Sequence, residues 1–210
     1  WSWRRRPVVA VAGDWRVAAS INGMPHGGGA LAGNDFPGHF CLHFLGSWLH
    51  LRARPDPSHQ LMVHQAAGQL AQTLESAPPA ELVHWLLAAV QEGDEAPLMY
   101  ATEGYDPALA GRLLQSVRHV TVLRLAEQLG PMVEVSLVVY REPNPNLGYP
   151  LAWRVPLRPR WPTPPDAAAA DTATRVPPGG WVAPLASLEP LLHGAAASGP
   201  LLLSGGSPGC

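Results

Sequence analysis

One short stretch of the sequence combines histidine and cysteine side chains at a spacing that could support catalysis. His39, Cys41 and His43 alternate along an apolar segment, so on a β-strand they would share one face. A thiolate is a far stronger nucleophile than a thiol, and a nearby histidine can take the thiol proton. His26 comes from a Gly-rich segment, predicted to be a loop, that could fold over this strand. The pattern predicts acyl transfer by a cysteine nucleophile.

Two other interpretations of these residues remain open. A cysteine on a strand is often a small buried hydrophobe, and the histidines beside it can be ordinary polar groups of a core. Alternatively, the set offers nitrogen and sulfur ligands of the kind that zinc accepts, although the tight spacing of a Cys-x-x-Cys pair is absent. The candidate metal ligands are His26, His39, Cys41 and His43.

Neighbouring residues could support such a site. Gly38 leaves room for a substrate backbone to approach closely, and Gly27 and His43 are further candidate support residues. Asn34 could orient a histidine, and Ser47 and His50 could extend the site. Simpler interpretations also fit these three: Asn34 is typical of turn chemistry, and the other two suit a strand end that returns to solvent.

The N-terminal part of the chain must position these residues, and its pattern is mostly that of strands. A two-stranded hairpin turning at Gly13–Asp14, a loop, a third strand and a helix are predicted. Asp followed by Pro is a favourable helix start. These elements correspond to Val8–Val11 with Trp15–Ile21, Asn22–Asp35, Phe36–Leu45 and the helix beginning at Asp56-Pro57.

The remainder of the chain predicts a second domain. A domain boundary is expected at Ser76–Pro79, followed by a helix from Ala80 that ends at Gly93. Three strands, an extended Pro-rich loop, a short strand and a short helix follow, at Val117–Leu125, Met132–Tyr140, Tyr149–Leu157, Arg158–Gly179, Gly180–Val182 and Leu185–Leu192. The fold class is therefore mixed α+β, with domains over residues 1–75 and 79–193 and a disordered tail over 194–210.

Composition excludes two classes of function. All 14 basic residues are arginines and the net charge is −2, so the sequence lacks the basic stripe that a nucleic-acid partner requires. No stretch approaches the roughly 20 apolar residues of a membrane span.

The chain opens at Trp1 inside a strand-like pattern, so we expect a longer native N-terminus. A disulfide between Cys41 and Cys210 is disfavoured because a frayed terminus is a poor partner for a strand residue.

The string His26-Gly27 followed by Gly38-His39-Phe40-Cys41-Leu42-His43 resembles the L,D-transpeptidase family of cell-wall enzymes. The resemblance covers residues 1–65. The run Ile21–Gly27, and Asp56-Pro57 with His59-Gln60, also resemble a clostridial-type wall-associated domain of related fold. Phe40 stands where the family has Gly, Gly38 where it has Ser or Thr, and His43 where Arg or Asn is usual.

The resemblance implies specific roles and a substrate. Cys41 would be the acylated nucleophile, His26 its base, and His39 a residue that orients the site, with no cofactor. The implied partner is a peptidoglycan stem peptide, which places the protein outside the cell or at the wall. A non-catalytic wall-binding protein and a small metal-binding module are the alternatives.

The second domain is similar to cone-shaped α+β domains of the SnoaL-like and nuclear-transport-factor type. The matching features are the helix ending at Gly93-Asp94, the strand starting at Val117, and the closing Gly180-Trp181-Val182. Such a cone packs a helix into a curved antiparallel sheet, and we expect this domain to be an accessory binding or spacer module.

Overall fold

A computed structural model describes residues 2–26, 29–30, 32–49, 54–128, 131–160, 180–193 and 201–202 of the chain. The described residues form a mixed α/β fold of small, open, mainly antiparallel sheets with six α-helices. Two compact units divide at Leu70–Ala71, a few residues before the boundary expected at Ser76–Pro79. Among the described residues, no helix combines the length and apolarity needed to cross a membrane.

The described residues of the first unit form five strands and one helix. In chain order they are β1 (Arg5–Ala12), β2 (Trp15–His26), β3 (His39–His43), β4 (Trp48–Leu49), β5 (Arg54–Pro55) and α1 (Pro57–Ala66). The antiparallel sheet has the order β1-β2-β3, and the predicted hairpin is confirmed, with Gly13 at a φ of +59° in its turn.

Helix α1 begins as the sequence predicts. The Asp56 side chain accepts a hydrogen bond from the His59 backbone N–H at 3.1 Å, and Pro57 occupies the first helical position. The helix ends at Ala66, and Gly68 follows with a φ of +70°. Apolar residues follow one another at helical spacing from Val63 to Leu74. They belong to two helices rather than one, because the chain turns at Gly68.

The two faces of β3 differ as the alternation predicts. Cys41 and His43 are buried, whereas Phe40, Leu42 and Phe44 are exposed. His59 of α1 contacts the ring of His43, so α1 covers the face that carries the cysteine. Phe40 and Leu42 lie on the opposite, exposed face of β3, and Cys41 and His43 therefore lie on the packed side of the sheet.

The second unit is an antiparallel sheet with a helix packed on it. Its elements are α2 (Leu70–Ser76), α3 (Pro79–Glu92), α4 (Glu95–Ala101), β6 (Thr102–Glu103), α5 (Pro107–Ser116), β7 (Val117–Glu127), β8 (Met132–Arg141), β9 (Asn144–Pro156), β10 (Arg158–Pro159), β11 (Trp181–Pro184), a 3-10 helix (Leu185–Leu188), α6 (Pro190–His193) and β12 (Leu201–Leu202). The largest sheet has the order β12-β9-β8-β7, and α3 packs on β7 and β8.

The three long strands and α3 are confirmed, with Gly93 ending the helix at a φ of +66°. Two helices were not predicted, α4 and α5. Each begins at an aspartate cap, Asp94 and Asp106, whose side chain accepts a backbone hydrogen bond. Asp106 is followed by Pro107, so the helix-start signal that identifies α1 is present here as well.

Two predicted loops fall mainly outside the described residues. Residues 161–179 and most of 194–210 are not described. Leu201 and Leu202 pair with Gly148 and Leu147 of β9, so the prediction of disorder is wrong at these two positions, where the backbone joins the ladder of a sheet edge.

Candidate functional site

The site is built where β2 and β3 pair irregularly. Asn22 lies opposite Cys41, and His26 lies opposite His39. Four positions separate the two β2 residues but only two separate their β3 partners, so β2 bulges between them. The prediction that His26 belongs to a loop is wrong: it is the last residue of β2, because the bulge absorbs the extra residues and pairing resumes beyond it.

The His26 ring is held between a backbone carbonyl and the cysteine sulfur. Its Nδ1 lies 2.7 Å from the Met24 carbonyl oxygen, and its Nε2 lies 3.2 Å from Cys41 Sγ. A carbonyl oxygen can only accept, so Nδ1 carries the proton and Nε2 directs its lone pair at the sulfur. The ring therefore has the tautomer and orientation that a base for Cys41 requires.

Gly38 holds the two strand ends together rather than leaving space for a substrate. Its φ is +126°, and a Cβ atom at this position would lie 2.4 Å from the His26 carbonyl oxygen. The expectation of an open approach at Gly38 is therefore wrong, because the backbone of His26 fills that space. The glycine lets the base come close to the nucleophile strand.

Aromatic rings surround His26. The rings of His26 and His39 have centroids 4.5 Å apart, and the Trp3 ring lies 5.1 Å from His26. His39 is exposed, whereas Cys41 retains 8% of its surface. Cys41 is thus largely buried, beside an exposed histidine of the same strand.

Cys41 is disulfide-bonded in this structure. The sequence-based expectation against a disulfide at this residue is therefore wrong. The one other cysteine in the sequence, Cys210, lies outside the described residues. A disulfide sulfur is not a thiolate, so nucleophilic or metal-binding chemistry at Cys41 requires its reduction first.

His26, His39 and Cys41 form a compact set of candidate metal ligands. One ligand atom each from His26, His39 and Cys41 can be chosen so that all lie within 4.8 Å of one another. The alternative metal set predicted from sequence also contained His43, which is not part of this cluster. His43 lies further along β3, where its ring turns to other partners.

His43 belongs to a buried pair of histidines. Its ring stacks on the His59 ring with centroids 3.8 Å apart, and its Nδ1 lies 3.1 Å from Ser47 Oγ. Ser20 Oγ is 2.8 Å from His59 Nδ1. Burial, the Arg5 guanidinium and the neighbouring His43 lower the pKa of His59 to about 3. This pair is therefore a packing feature and not an extension of the Cys41 site.

An ion pair anchors α1 beneath the sheet. Arg5 of β1 donates to Asp56 Oδ2 at 3.0 Å, and both side chains are largely buried. Burial alone would raise the pKa of Asp56, but Arg5, His59 and two backbone N–H groups together hold that pKa below its ordinary value. The Asp56 cap was predicted from sequence, whereas Arg5, Ser20 and the stacking of His59 were not, since they depend on tertiary contact.

The remaining predicted site residues have local structural roles or are not described. Asn34 Oδ1 accepts a hydrogen bond from the Phe36 N–H at 2.9 Å, which is turn chemistry. Ser47 Oγ donates to the Phe44 carbonyl at 2.8 Å and closes the turn after β3. Gly27 and His50 lie outside the described residues.

Comparisons of the chain with known protein families, with curated proteins and with solved structures find no match. Functional inference therefore rests on the geometry at His26 and Cys41.

Proposed function

We propose that reduced Cys41 is the nucleophile of a cysteine acyltransferase of the L,D-transpeptidase type, with His26 as its base. One observation carries this proposal: His26 Nε2 lies 3.2 Å from Cys41 Sγ while Nδ1 is fixed on the Met24 carbonyl. A nucleophile, a base within reach and a group that orients the base are the parts that nucleophilic catalysis needs.

In the proposed reaction, His26 takes the thiol proton and the Cys41 thiolate attacks a carbonyl carbon in a peptidoglycan stem peptide. The attacked residue is of the diaminopimelate type. Its C–N bond to D-alanine breaks, and His26 returns the proton to the leaving amine. A thioester then remains on Cys41 until an amine of a second stem attacks it and releases the thiol.

His39 is proposed to position His26 in this reaction. Its ring lies against that of His26, at a centroid distance of 4.5 Å, and limits rotation of the base away from the sulfur. The proposed substrate would place the protein at the cell wall. The second unit, in which α3 packs on an antiparallel sheet, is proposed to be a cone-shaped accessory module.

The test uses a carbapenem as a stem-peptide mimic on the reduced full chain. Opening of the β-lactam ring by Cys41 would add the mass of the whole antibiotic, visible in intact mass spectrometry and assigned by peptide mapping. Cys41→Ser should give no adduct, and Cys210→Ser should give the full amount. Labelling of Cys41 by iodoacetamide without any carbapenem adduct would contradict the enzyme.

A hollow in the first unit favours a second candidate, a non-catalytic binding protein. It encloses about 330 Å³ and is lined mainly by apolar side chains, among them Val17, Phe44, Leu45 and Val63. Leu45 is 62% exposed, so Leu45→Ser should leave the core intact. Co-sedimentation of the protein with peptidoglycan sacculi, weakened by this change and unaffected by Cys41→Ser, would support the binder.

A further inference from the structure

The three side chains at the proposed active site have the composition of a zinc site. His26 and His39 offer imidazole nitrogens and Cys41 offers a thiolate after reduction, with the ligand atoms mutually within 4.8 Å. Zinc binds such nitrogen and sulfur donors at about 2.0–2.3 Å in tetrahedral geometry. In tetrahedral geometry, two ligand atoms bound to one zinc ion lie roughly 3.5 Å apart. The ligand atoms of His26, His39 and Cys41 therefore need only small side-chain adjustments to reach one ion.

A second observation supports metal binding independently of the ligand distances. The Nδ1–H of His26 donates to the Met24 carbonyl oxygen at 2.7 Å, which leaves Nε2 as the coordinating atom. Histidines that bind metals usually donate their other ring N–H to a carbonyl or a carboxylate, because that bond fixes the tautomer and the ring orientation. His26 is therefore prearranged as a ligand before any ion arrives.

The exposure of the three residues indicates what kind of site would form. Cys41 is buried and His26 half-buried, whereas His39 is exposed. An ion held between them would face solvent on the His39 side, leaving a fourth position for water. Three protein ligands with one open position allow exchange, in contrast to a closed structural zinc site.

We propose that Cys41, once a dithiol or phosphine reductant has converted its disulfide to thiols, binds one Zn²⁺ ion together with His26 and His39, and that bound zinc blocks acyl transfer by this cysteine. The blocking part rests on the proposed function. When the ion binds, the S–H bond breaks, an S–Zn bond forms and the proton passes to the buffer. The thiolate lone pair and the His26 Nε2 lone pair are then both bonded to zinc. The sulfur therefore does not attack a carbonyl, and Nε2 does not accept a proton.

The first measurement is zinc affinity of the reduced, metal-free full chain by isothermal titration calorimetry. One ion per chain is expected. His39→Ala should weaken binding at least about tenfold, since loss of even an outer-shell partner of a metal ligand costs that much. Prior alkylation of Cys41 should abolish binding. His64→Ala, a histidine of the same unit outside the cluster, is the matched control and should bind as the parent does.

Substitution by Co²⁺ supplies a readout that folding defects do not mimic. Sulfur-to-metal charge transfer should appear in the absorption spectrum of the parent and be missing from Cys41→Ser. His39→Asn serves beside His39→Ala, and circular dichroism verifies that each variant is folded. Zinc binding that survives alkylation of Cys41 or both substitutions of His39 would overturn the proposal, as would no binding by the parent.

Carbapenem adduct formation, measured in EDTA and again at saturating zinc, separates this proposal from the proposed function. An adduct in EDTA that zinc prevents supports both. An adduct in EDTA without zinc binding leaves the acyltransferase and removes the metal site. Zinc binding without an adduct in EDTA removes the acyltransferase and the blocking role, and leaves a metal site alone. An adduct that forms equally fast at saturating zinc removes the blocking role.

Discussion

Two histidines flank Cys41 on the same face of β3, and they have opposite surroundings. His39 is exposed beside the ring of His26, whereas His43 is buried against the ring of His59. The alternation of side chains along β3 puts both histidines on one face, and packing by α1 decides their roles. His43 lies under α1 and belongs to the core, whereas His39 lies beyond α1 and stays available for chemistry.

The ring pairs also differ in what fixes them. At the open end of β3, which carries His39, the Met24 carbonyl orients His26 toward the Cys41 sulfur, which prepares a lone pair for proton transfer. At the covered end, which carries His43, Ser20 and Ser47 hold the stacked rings of His59 and His43, and desolvation keeps His59 neutral. Changes at the open end should alter reactivity, and changes at the covered end should alter stability.

The largest effect expected at the open end comes from the redox state of Cys41. Because the sulfur is disulfide-bonded here, untreated protein should form no carbapenem adduct, and a phosphine reductant should restore it. Cys210→Ser removes the only other cysteine of the sequence and should make adduct formation independent of reductant. Equal carbapenem labelling of the parent chain with and without reductant, measured by mass spectrometry, would show that the disulfide does not control the reactivity of Cys41.

Removal of the base should have the next largest effect. His26→Ala removes the proton acceptor that lies 3.2 Å from the sulfur, so the rate of carbapenem adduct formation should fall by about 10²–10⁴-fold. His64→Ala, in the same unit, should leave that rate within about twofold by comparison, since it removes no group that acts on the thiol. A His26→Ala rate equal to that of the control would exclude this histidine as the base.

The covered end should respond to pH through His59. Its pKa is about 3 in the folded chain against an ordinary 6.5, so below pH 6.5 the unfolded chain takes up a proton that the folded chain refuses. Stability is therefore lost as pH falls, by about 2 kcal/mol between pH 7 and 5. Arg5 and His43 disfavour the charged ring, and Asp56 opposes them.

Urea denaturation at several pH values measures this loss. His59→Gln should reduce the slope of unfolding free energy against pH between 6.5 and 5 by nearly one proton. If His59→Gln kept the parent slope, His59 would have no part in the pH dependence.

Local signals in the sequence predicted much of this framework. The hairpin at Gly13, the alternation along β3 and the cap at Asp56 each depend on residues close together in the chain, and all three are confirmed. The Gly-rich segment allowed His26 to fold over Cys41, and the family resemblance implied that it is the base. The register shift that brings His26 close to Cys41 belongs to the pairing of two strands, so neither strand alone indicates it.

Long-range contacts account for what the sequence did not predict. The stack of His43 on His59 joins β3 to α1, and the ion pair of Arg5 with Asp56 joins β1 to the start of α1. Neither pair has a characteristic spacing. Gly38 was identified from sequence as leaving room for a substrate, but the backbone of His26 fills that space. The sequence does not indicate which residue lies beside Gly38 across the bulge.

Gly38→Ala tests whether the bulge holds the base in place. A Cβ atom would lie 2.4 Å from the His26 carbonyl oxygen, and the φ of +126° adds strain. Gly29→Ala is the matched control, because Gly29 has a φ of +83° with no described neighbour within 4 Å of its Cβ position. The control should cost about 1 kcal/mol of stability and Gly38→Ala about 1–3 kcal/mol. Only Gly38→Ala should also slow carbapenem adduct formation, because His26 must shift to relieve the contact. Equal adduct rates in the two variants would show that the position of His26 does not depend on this glycine.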